Sequence, residues 1–282
     1  MICKRIKPAS FVGNYVKEYL LLHMAFDPTV AAPVKAYPTN PEEGITFQIL
    51  GNLFAESPEL KSGNKPAKTY VFGQPDSRQN FHLPHEFKMV HVRFQPGGLF
   101  HLARIPMNEL VHQQIDAEVI FGSAIKEVND RLANAPDYES IPPILDTFFA
   151  RKIAQIKHTS RPIDQIGRLI LANPQRFNLA WVADQACLSV RQFENLFVRQ
   201  IGITPKYYAR ICRFYQAYEL KEFYPDLDWL SVAIQTGYTD YQHLVKDFKQ
   251  FAGTAPNALI RESNQNPERR LKIADTFHFR GV

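Results

Sequence analysis

Polar side chains that can bind nucleic acid recur on one predicted helix face near the C-terminus of this 282-residue chain. The stretch 237–256 reads GYTDYQHLVKDFKQFAGTAP, and its apolar residues fall at helical spacing. The opposite face carries Gln242, His243, Lys246 and Lys249. Glutamine can pair with adenine in the major groove, and lysine can bind guanine or phosphate. This face therefore predicts contact with DNA, with Lys249 on phosphate and His243 donating to a base or a phosphate.

A second face of the same kind lies about 50 residues earlier in the chain. Arg191, Asn195 and Arg199 recur at intervals of four on this face, and Gln192 lies beside them. Arginine and asparagine are common readers of base edges through two hydrogen bonds. Phe193 and Phe197 are predicted to form the buried face of this helix. We expect Lys206, Arg210 and Arg213 to bind phosphate, which positions a protein on DNA without selecting a sequence.

The two faces belong to an internal repeat. Matching pairs occur at a shift of 50 residues before a turn and 51 after it: Val182 with Val232, Ala183 with Ala233, Phe197 with Phe248, Gly202 with Gly253 and Pro205 with Pro256. Each unit is predicted to be a short helix, a tight turn and a second helix capped by Ser189 or Thr239. Gly237 suits the turn because glycine tolerates a positive φ. This is the pattern of a helix-turn-helix, whose second helix enters the major groove.

The segment between the two units predicts a rigid connection. Thr204 followed by Pro205 is a cap and a first-turn proline, so a helix should begin there and end before Pro225. About 20 residues at ~1.5 Å each give roughly 30 Å, which is close to the ~34 Å of one turn of B-DNA. A single chain would then read two successive major grooves on one side of the duplex.

Residues 162–262 resemble the DNA-binding domain of AraC/XylS-type transcriptional regulators. The residues that carry the resemblance are Gly237, Tyr238, Asp240, Leu244, Lys246, Phe248, Lys249, Gly253 and Pro256, with LSVRQFENLFVRQIGITP in the first repeat. The resemblance implies a sequence-specific regulator that binds double-stranded DNA, and it leaves open a small-molecule effector and contact with RNA polymerase. Through VRFQPGG and the helical segments that follow, the N-terminal half resembles, more weakly, the cupin-like sensor domains of such regulators.

The N-terminal half has a different pattern. Residues 1–105 contain short β-rich runs separated by turn clusters such as SGNKP and QPGG. In the run FKMVHVRFQ, Val90 and Val92 alternate with His91 and Arg93, as in a strand with two different faces. We therefore expect a small antiparallel β-barrel or sandwich.

Residues 107–157 read as amphipathic helices, and their apolar faces predict pairing of two chains into a homodimer. The stretch KHTSRP is the predicted linker to the C-terminal half. The fold class is accordingly α+β in two domains. We expect a sensor domain with a dimerisation segment at 1–158, an all-α tandem helix-turn-helix at 159–264 and a tail at 265–282.

The N-terminal half also contains residues that raise the question of a metal site: His82, His85, Glu86, His91 and His101. Their spacing fits no strict motif for metal ligands, so we expect no metal and no cofactor. A metal-binding barrel with enzymatic activity, fused to a DNA-binding domain, is one alternative function. The sequence lacks a GxSxG elbow, a Walker loop, a dinucleotide glycine motif and HExxH, so we expect no enzyme. A purely architectural DNA binder is the other alternative, and it leaves the β-rich half unexplained.

Charge and cysteine content agree with a DNA-binding protein of a reducing compartment. Residues 1–158 hold 17 Lys and Arg against 16 Asp and Glu, whereas residues 159–282 hold 16 against 12. The basic excess therefore lies in the half that carries the repeat. The three cysteines are scattered and form no CxxC pair, and the sequence shows neither a signal peptide nor a membrane span. We expect a cytoplasmic protein that does not bind membranes.

Overall fold

The structure is a computed structural model that describes residues 1–57, 67–156 and 161–270. The predicted turn SGNKP, most of the predicted linker, the domain boundary at residue 158 and the tail beyond residue 270 lie outside the described residues. None of the described helices is long and apolar enough to cross a membrane.

Two antiparallel sheets form the N-terminal domain in the described part of the chain. The strands are β1 (Ile2–Ile6), β2 (Val16–Ala25), β3 (Val34–Tyr37), β4 (Gly44–Leu50), β5 (Phe54–Glu56), β6 (Thr69–Phe72), β7 (Gln79–His82), β8 (Glu86–Phe94) and β9 (Gln114–Asp116). The larger sheet has the order β1-β2-β8-β4-β6-β9, and the smaller one the order β3-β7-β5. The predicted α+β architecture is confirmed. The sheets do not close into a barrel, because the edge strands β1 and β9 do not pair with each other and β9 passes directly into a helix.

The strand β8 lies inside the larger sheet and is buried on both faces. Val90, Val92 and Phe94 are 0%, 0% and 3% exposed and belong to the main core of this domain. His91 and Arg93 face the other way, as their alternation predicts, and they are buried too. Their face is not solvated because the smaller sheet and the C-terminal domain lie over it.

Four helices follow β8 in the N-terminal domain. They are α1 (Gly98–Ala103), α2 (Ala117–Phe121), α3 (Ala124–Ala133) and α4 (Ile141–Ile153). The predicted helical segment is confirmed in α2, α3 and α4. In QPGG, Gly97 has a φ of 77° and makes the predicted turn, but the next residue already begins α1. The apolar sides of α3 and α4 are used within the chain, where Leu132, Leu145 and Phe149 pack in the domain core.

The C-terminal half is helical throughout its described residues. Its helices are α5 (Ile163–Ala172), α6 (Leu179–Gln185), α7 (Val190–Ile201), α8 (Pro205–Phe223), α9 (Trp229–Gln235), α10 (Tyr241–Ala252), α11 (Pro256–Asn264) and α12 (Pro267–Arg270). The predicted repeat is confirmed, because α6 and α7 recur as α9 and α10. The helix α8 joins the two units and begins and ends where the sequence predicts.

Of the three predicted helix-capping residues, two cap their helices in the structure. Ser189 caps α7, and Thr204 caps α8. Asp240, and not Thr239, caps α10, because its carboxylate accepts a hydrogen bond of 2.9 Å from the His243 N–H. The second unit has one residue more than the first, and this extra residue lies in its turn. The capping residue of the second unit is therefore one position later than a shift of 50 residues predicts.

Aromatic side chains form the centre of the C-terminal core. Phe248 is fully buried in α10, with its ring centroid 4.8 Å from that of Phe214 in α8 and 5.2 Å from that of Trp229 in α9. The side chain of Phe248 therefore holds together α8 and the two helices of the second unit.

Phe248→Ala should lower the free energy of unfolding of this core by roughly 3–5 kcal/mol, because a cavity would remain where the ring packs. Denaturant unfolding of the full chain, followed by circular dichroism, measures the change. The matched control is Lys249→Ala, the exposed next residue, which should change stability by less than ~0.5 kcal/mol. Equal unfolding midpoints for the two variants would mean that the Phe248 ring contributes no packing.

Candidate nucleic-acid interface

The helix α7 presents the first predicted reading face to solvent. Arg191, Asn195 and Arg199 are exposed, while Phe193 and Phe197 are 0% and 1% exposed beneath them. The structure therefore brings the three polar side chains together on one outer face, as the spacing of four predicts.

Gln192 has a local role that the sequence analysis missed. Its side-chain oxygen accepts hydrogen bonds from the Ser189 N–H at 3.2 Å and the Ser189 hydroxyl at 2.9 Å. Ser189 in turn accepts from the Gln192 N–H, which completes a capping box. The pattern SxxQ at the start of a helix was the available signal. Gln192 is thus partly engaged in holding the first turn of α7.

The helix α10 presents the second predicted reading face. Gln242, Lys246 and Lys249 are exposed, whereas Leu244 beneath them is fully buried. His243 is exposed as well, and its Nδ1 atom lies 3.0 Å from a carboxylate oxygen of Asp240. The cap residue therefore orients the imidazole at the beginning of the helix, where helix-turn-helix proteins contact base edges.

Left-handed backbone in both turns sets the angle between each pair of helices. Gly237 has a φ of 77°, and a Cβ atom there would lie 2.4 Å from the Cβ atom of Gln175. Cys187 occupies the equivalent place with a φ of 56°, which is uncommon for a residue other than glycine. The second turn thus requires glycine for conformation and space, while the first accepts a strained residue.

The helix α8 separates the two reading helices. Its 19 residues span about 28 Å. Tyr208 near its beginning packs on Phe197 of α7, with ring centroids 5.7 Å apart, and Phe214 packs on Phe248 and Phe251 of α10. One rigid element therefore contacts both reading helices through buried aromatic rings.

A buried carboxylate of α10 forms ion pairs with two of the arginines predicted to bind phosphate. Asp247 lies 2.6 Å from Arg210 and 3.6 Å from Arg213, and the Tyr238 hydroxyl donates to it at 3.1 Å. Burial and the Asp247 charge both raise the pKa of Tyr238, which therefore remains a hydrogen-bond donor. Arg210 also donates to Gln250 at 2.7 Å. These contacts fix α10 against α8, a role that residue types alone did not reveal.

Lys206 stands apart from this cluster. Its side chain is exposed at the beginning of α8, whereas those of Arg210 and Arg213 are about three-quarters buried. Of the three predicted phosphate contacts on α8, Lys206 is thus the most accessible to DNA.

The N-terminal domain contacts the C-terminal ends of both α7 and α10. The Thr39 N–H donates to the Phe251 carbonyl at 2.9 Å, and Arg78 donates to the Ala252 carbonyl at 3.1 Å. At the end of α7, Gly202 lies so close to Met107 that a Cβ atom would be 3.0 Å from its carbonyl oxygen. These contacts join segments far apart in sequence.

Asp164 in α5 connects the sensor domain to α7. One of its oxygens lies 3.3 Å from His101 Nε2 and accepts from the Gln200 amide at 2.8 Å, and the other accepts from the Arg161 N–H at 2.8 Å. Burial opposes the charge of Asp164, but these hydrogen bonds outweigh it and lower its pKa to about 2.

The N-terminal histidines have separate partners. His82 lies 2.9 Å from Glu56 and stacks on Phe54, His91 is hydrogen-bonded to Thr46, and His101 is bound to Asp164. Among the described residues, no group of three or more His, Cys, Asp or Glu is arranged to hold a metal ion. The alternative of a metal-dependent barrel therefore gains no support from this geometry.

Two protein-family models match parts of the chain. A model described as a helix-turn-helix domain, of the AraC type, matches residues 182–262. A model described as a domain of unknown function, DUF6597, matches residues 4–116. The first match begins within α6 and covers the rest of both repeat units and the helix between them. No curated protein matches the chain.

Solved structures that are similar to this chain are distant from it in sequence. An apo variant of ToxT from Vibrio cholerae strain SCE256 is 13% identical, over 92% of this chain and 99% of that one, with a TM-score of 0.49. ToxT from Vibrio cholerae O395 is 11% identical, over 88% and 98%, with a TM-score of 0.48. The DNA-binding domain of AdpA, described as a global transcriptional factor and solved with a target DNA, is 24% identical over 37% of this chain and 95% of its own, with a TM-score of 0.35.

The lowered pKa of Asp164 gives a prediction for acid stability. A carboxylate whose pKa falls on folding stabilises the protein above its unfolded pKa of ~3.9, and this contribution disappears as the pH falls towards the folded value. Asp164→Asn should therefore cost ~1–2 kcal/mol at pH 7 and little near pH 2. Denaturant unfolding of both proteins from pH 7 to pH 2 tests this. A difference that stays constant over that range would contradict it.

Proposed function

We propose that this chain, whose residues 182–262 match an AraC-type helix-turn-helix domain, is a sequence-specific transcriptional regulator that reads two successive major grooves of DNA. The observation that carries the proposal is a pair of exposed polar faces, on α7 and α10, held by one 19-residue helix. The span of that helix is close to one turn of B-DNA.

The side chains of the interface divide into readers and positioners. Arg191 and Asn195 on α7, and Gln242 and Lys246 on α10, are exposed in the first halves of the two helices, the side from which base edges are read. The positioners lie further along these helices or on α8 and contact phosphate: Arg199, Lys249, Lys206 and Arg210. Gln192 and His243 each contact the residue that caps their own helix. They would contact bases only where DNA replaces part of their contacts with Ser189 and Asp240.

The N-terminal domain regulates this DNA binding in our proposal. Its loops contact the ends of α7 and α10, so a ligand or partner that moves the sensor domain would move the reading helices. The protein acts in the cytoplasm without enzymatic activity, and RNA polymerase is the partner through which it would alter transcription. The operator is to be found by selecting bound sequences from a random DNA pool, and the selected site would point to the regulated genes.

We also propose that two chains pair into a homodimer. The apolar surface left for this pairing is smaller than the sequence predicts. Most apolar residues of α3 and α4 pack within the chain's own core. Val119 of α2, at 79% exposed, is the large apolar side chain that this part of the described chain presents to solvent. A homodimer would therefore use the surface around α2.

Substitution of readers and positioners should affect DNA binding in different ways. Gln242→Ala should lose ~1–3 kcal/mol on the selected site and little on random DNA, because a base-edge contact is removed. Lys249→Ala should weaken all sequences about equally and reduce the salt slope by about one. Titrations at several salt concentrations, on the selected site and its single-base variants, measure both effects.

Arg191→Ala provides the test of the spacing. It should relax specificity at a base about one helical turn away from the one affected by Gln242→Ala. If both variants relax the same base pair, α8 does not hold the two helices in successive grooves. If both weaken every sequence equally, the outer faces contact phosphate alone and the assignment of readers is wrong.

The oligomeric state is tested on the full chain by light scattering at high micromolar concentration. We expect a dimer that Val119→Asp separates, because a charge would be buried in the interface. The control is Arg131→Asp, an exposed change of charge in the last turn of α3, away from α2. An unmodified chain that scatters as a monomer would remove homodimerisation from the proposal.

A further inference from the structure

A cavity of about 210 Å³ lies where the sensor domain meets the DNA-binding domain. Its walls come from the inner face of the larger sheet, from β3 and β7 of the smaller sheet, and from α8 and α11. We call it the interdomain cavity. It is lined by strands of one domain and by the helix that separates the two reading helices of the other.

One end of the cavity is polar and balanced in charge. Arg93 lies 2.8 Å from Glu18 and 2.6 Å from Glu42, and Arg5 lies 2.9 Å from Glu18. Burial opposes the charge of Glu42, but Arg93 outweighs it and lowers its pKa. Two guanidinium groups and two carboxylates thus neutralise one another. A further ion entering this end would not find its charge compensated there.

His91 brings an unused nitrogen to the same end. Its Nδ1 atom lies 3.0 Å from the Thr46 hydroxyl, and its ring stacks on Phe72 with centroids 5.4 Å apart. Its Nε2 atom is buried without a hydrogen-bond partner in the described chain, 3.9 Å from Glu42. Burial lowers the pKa of His91, so the imidazole is neutral at pH 7. A buried polar atom without a partner is costly and indicates a position for a ligand group.

Asn40 provides a second such atom. Its amide donates to the Tyr37 hydroxyl at 3.0 Å, while its side-chain oxygen is buried without a partner among the described residues. Asn40 and His91 both line the cavity. The unused oxygen can only accept, so it requires a donor on the ligand.

The other end of the cavity is apolar. Its lining consists of side chains from the cluster between the two sheets: Leu20, Leu22, Met24, Leu53, Leu83 and Phe87. Two of these come from the loops around the smaller sheet, so the apolar end is enclosed by both sheets. Such a surface favours a hydrocarbon or aromatic body.

We propose that the interdomain cavity binds a small uncharged amphiphile, whose hydroxyl or N–H group bonds His91 and Asn40 while its apolar body lies among the leucines. A carboxylate head would meet Glu42 at an end where both arginines are already neutralised. An ammonium head would add an unbalanced positive charge beside Arg93. Each charged head would lose water at this end, where Arg5 and Arg93 are already paired with Glu18 and Glu42.

The regulatory part of this inference rests on the proposed function. Tyr215 and Glu219 of α8 line the cavity, so an occupant touches the helix that sets the distance between α7 and α10. Burial raises the pKa of Glu219.

Three probes with one body and different heads test the class of ligand: 4-phenylbutan-1-ol, 4-phenylbutanoate and 4-phenylbutylamine. Calorimetric titration of the full chain at pH 7, without DNA, should show the alcohol binding at least about tenfold tighter than either charged probe. Equal or tighter binding of a charged probe overturns the inference, and so does the absence of alcohol binding at millimolar concentration.

His91→Phe locates the head group. It removes Nε2 while keeping a ring to stack on Phe72, and it should weaken alcohol binding by about three- to tenfold. The matched control is His82→Phe, which changes a histidine of the same domain outside the cavity and should leave binding unchanged. Equal effects of the two variants would overturn the assignment. Should His91→Phe fail to fold, the comparison of the three probes still decides.

A DNA titration separates this inference from the proposed function. With saturating 4-phenylbutan-1-ol, the affinity for the selected site should change by about threefold or more, in either direction. Unchanged affinity despite calorimetric binding would overturn the coupling to α8. A chain that binds no DNA would overturn the proposed function, while the calorimetry would still decide the nature of the cavity.

Discussion

Aromatic packing along α8 is the constraint on which the DNA-binding half depends. The ring of Tyr208 lies against Phe197 of the first reading helix, and the ring of Phe214 lies against Phe248 of the second. All four rings are nearly or fully buried. Close-packed interiors do not deform continuously, so these contacts hold the two helices at one distance. Specificity for two grooves therefore requires that α8 stay straight and both contacts stay intact.

The helices of this arrangement that recur in both units could be predicted from the sequence. A shift of 50 residues matches α6 with α9, and a shift of 51 matches α7 with α10, because each unit buries the same face. The place of the extra residue could not be read from the shift alone. Both Thr239 and Asp240 can cap a helix, and only the backbone of the turn decides that Asp240 does so. Similarly, the three-residue strand β9 is too short to show a period.

Contacts between segments far apart in sequence could not be predicted from the spacing of apolar and polar residues. The alternation in β8 correctly separates Val92 from Arg93, but it does not say what covers the polar face. That face is buried because the smaller sheet and α8 lie over it, and the cost of burying Arg93 is offset by Glu18 and Glu42. Asp247, Asp164 and Arg78 likewise each have a distant partner, which lies 37, 63 and 174 residues away in sequence, respectively. Residue type at such positions suggests an ordinary surface charge until the fold supplies the partner.

The location of the N-terminal domain limits how it could act on DNA binding in the proposed function. It contacts the C-terminal ends of α7 and α10, through Gly202 at one and through Thr39 and Arg78 at the other. Arg191 and Gln242, near the opposite ends, are exposed with the sensor domain in place. The domain therefore does not cover the reading faces, and simple occlusion does not account for regulation. What it can change is the position of the helix ends that it holds, and thereby the distance and angle between the two faces. If base contacts in both grooves form together, as in the proposed function, a small displacement at α8 would lower affinity for the whole site while leaving each helix folded.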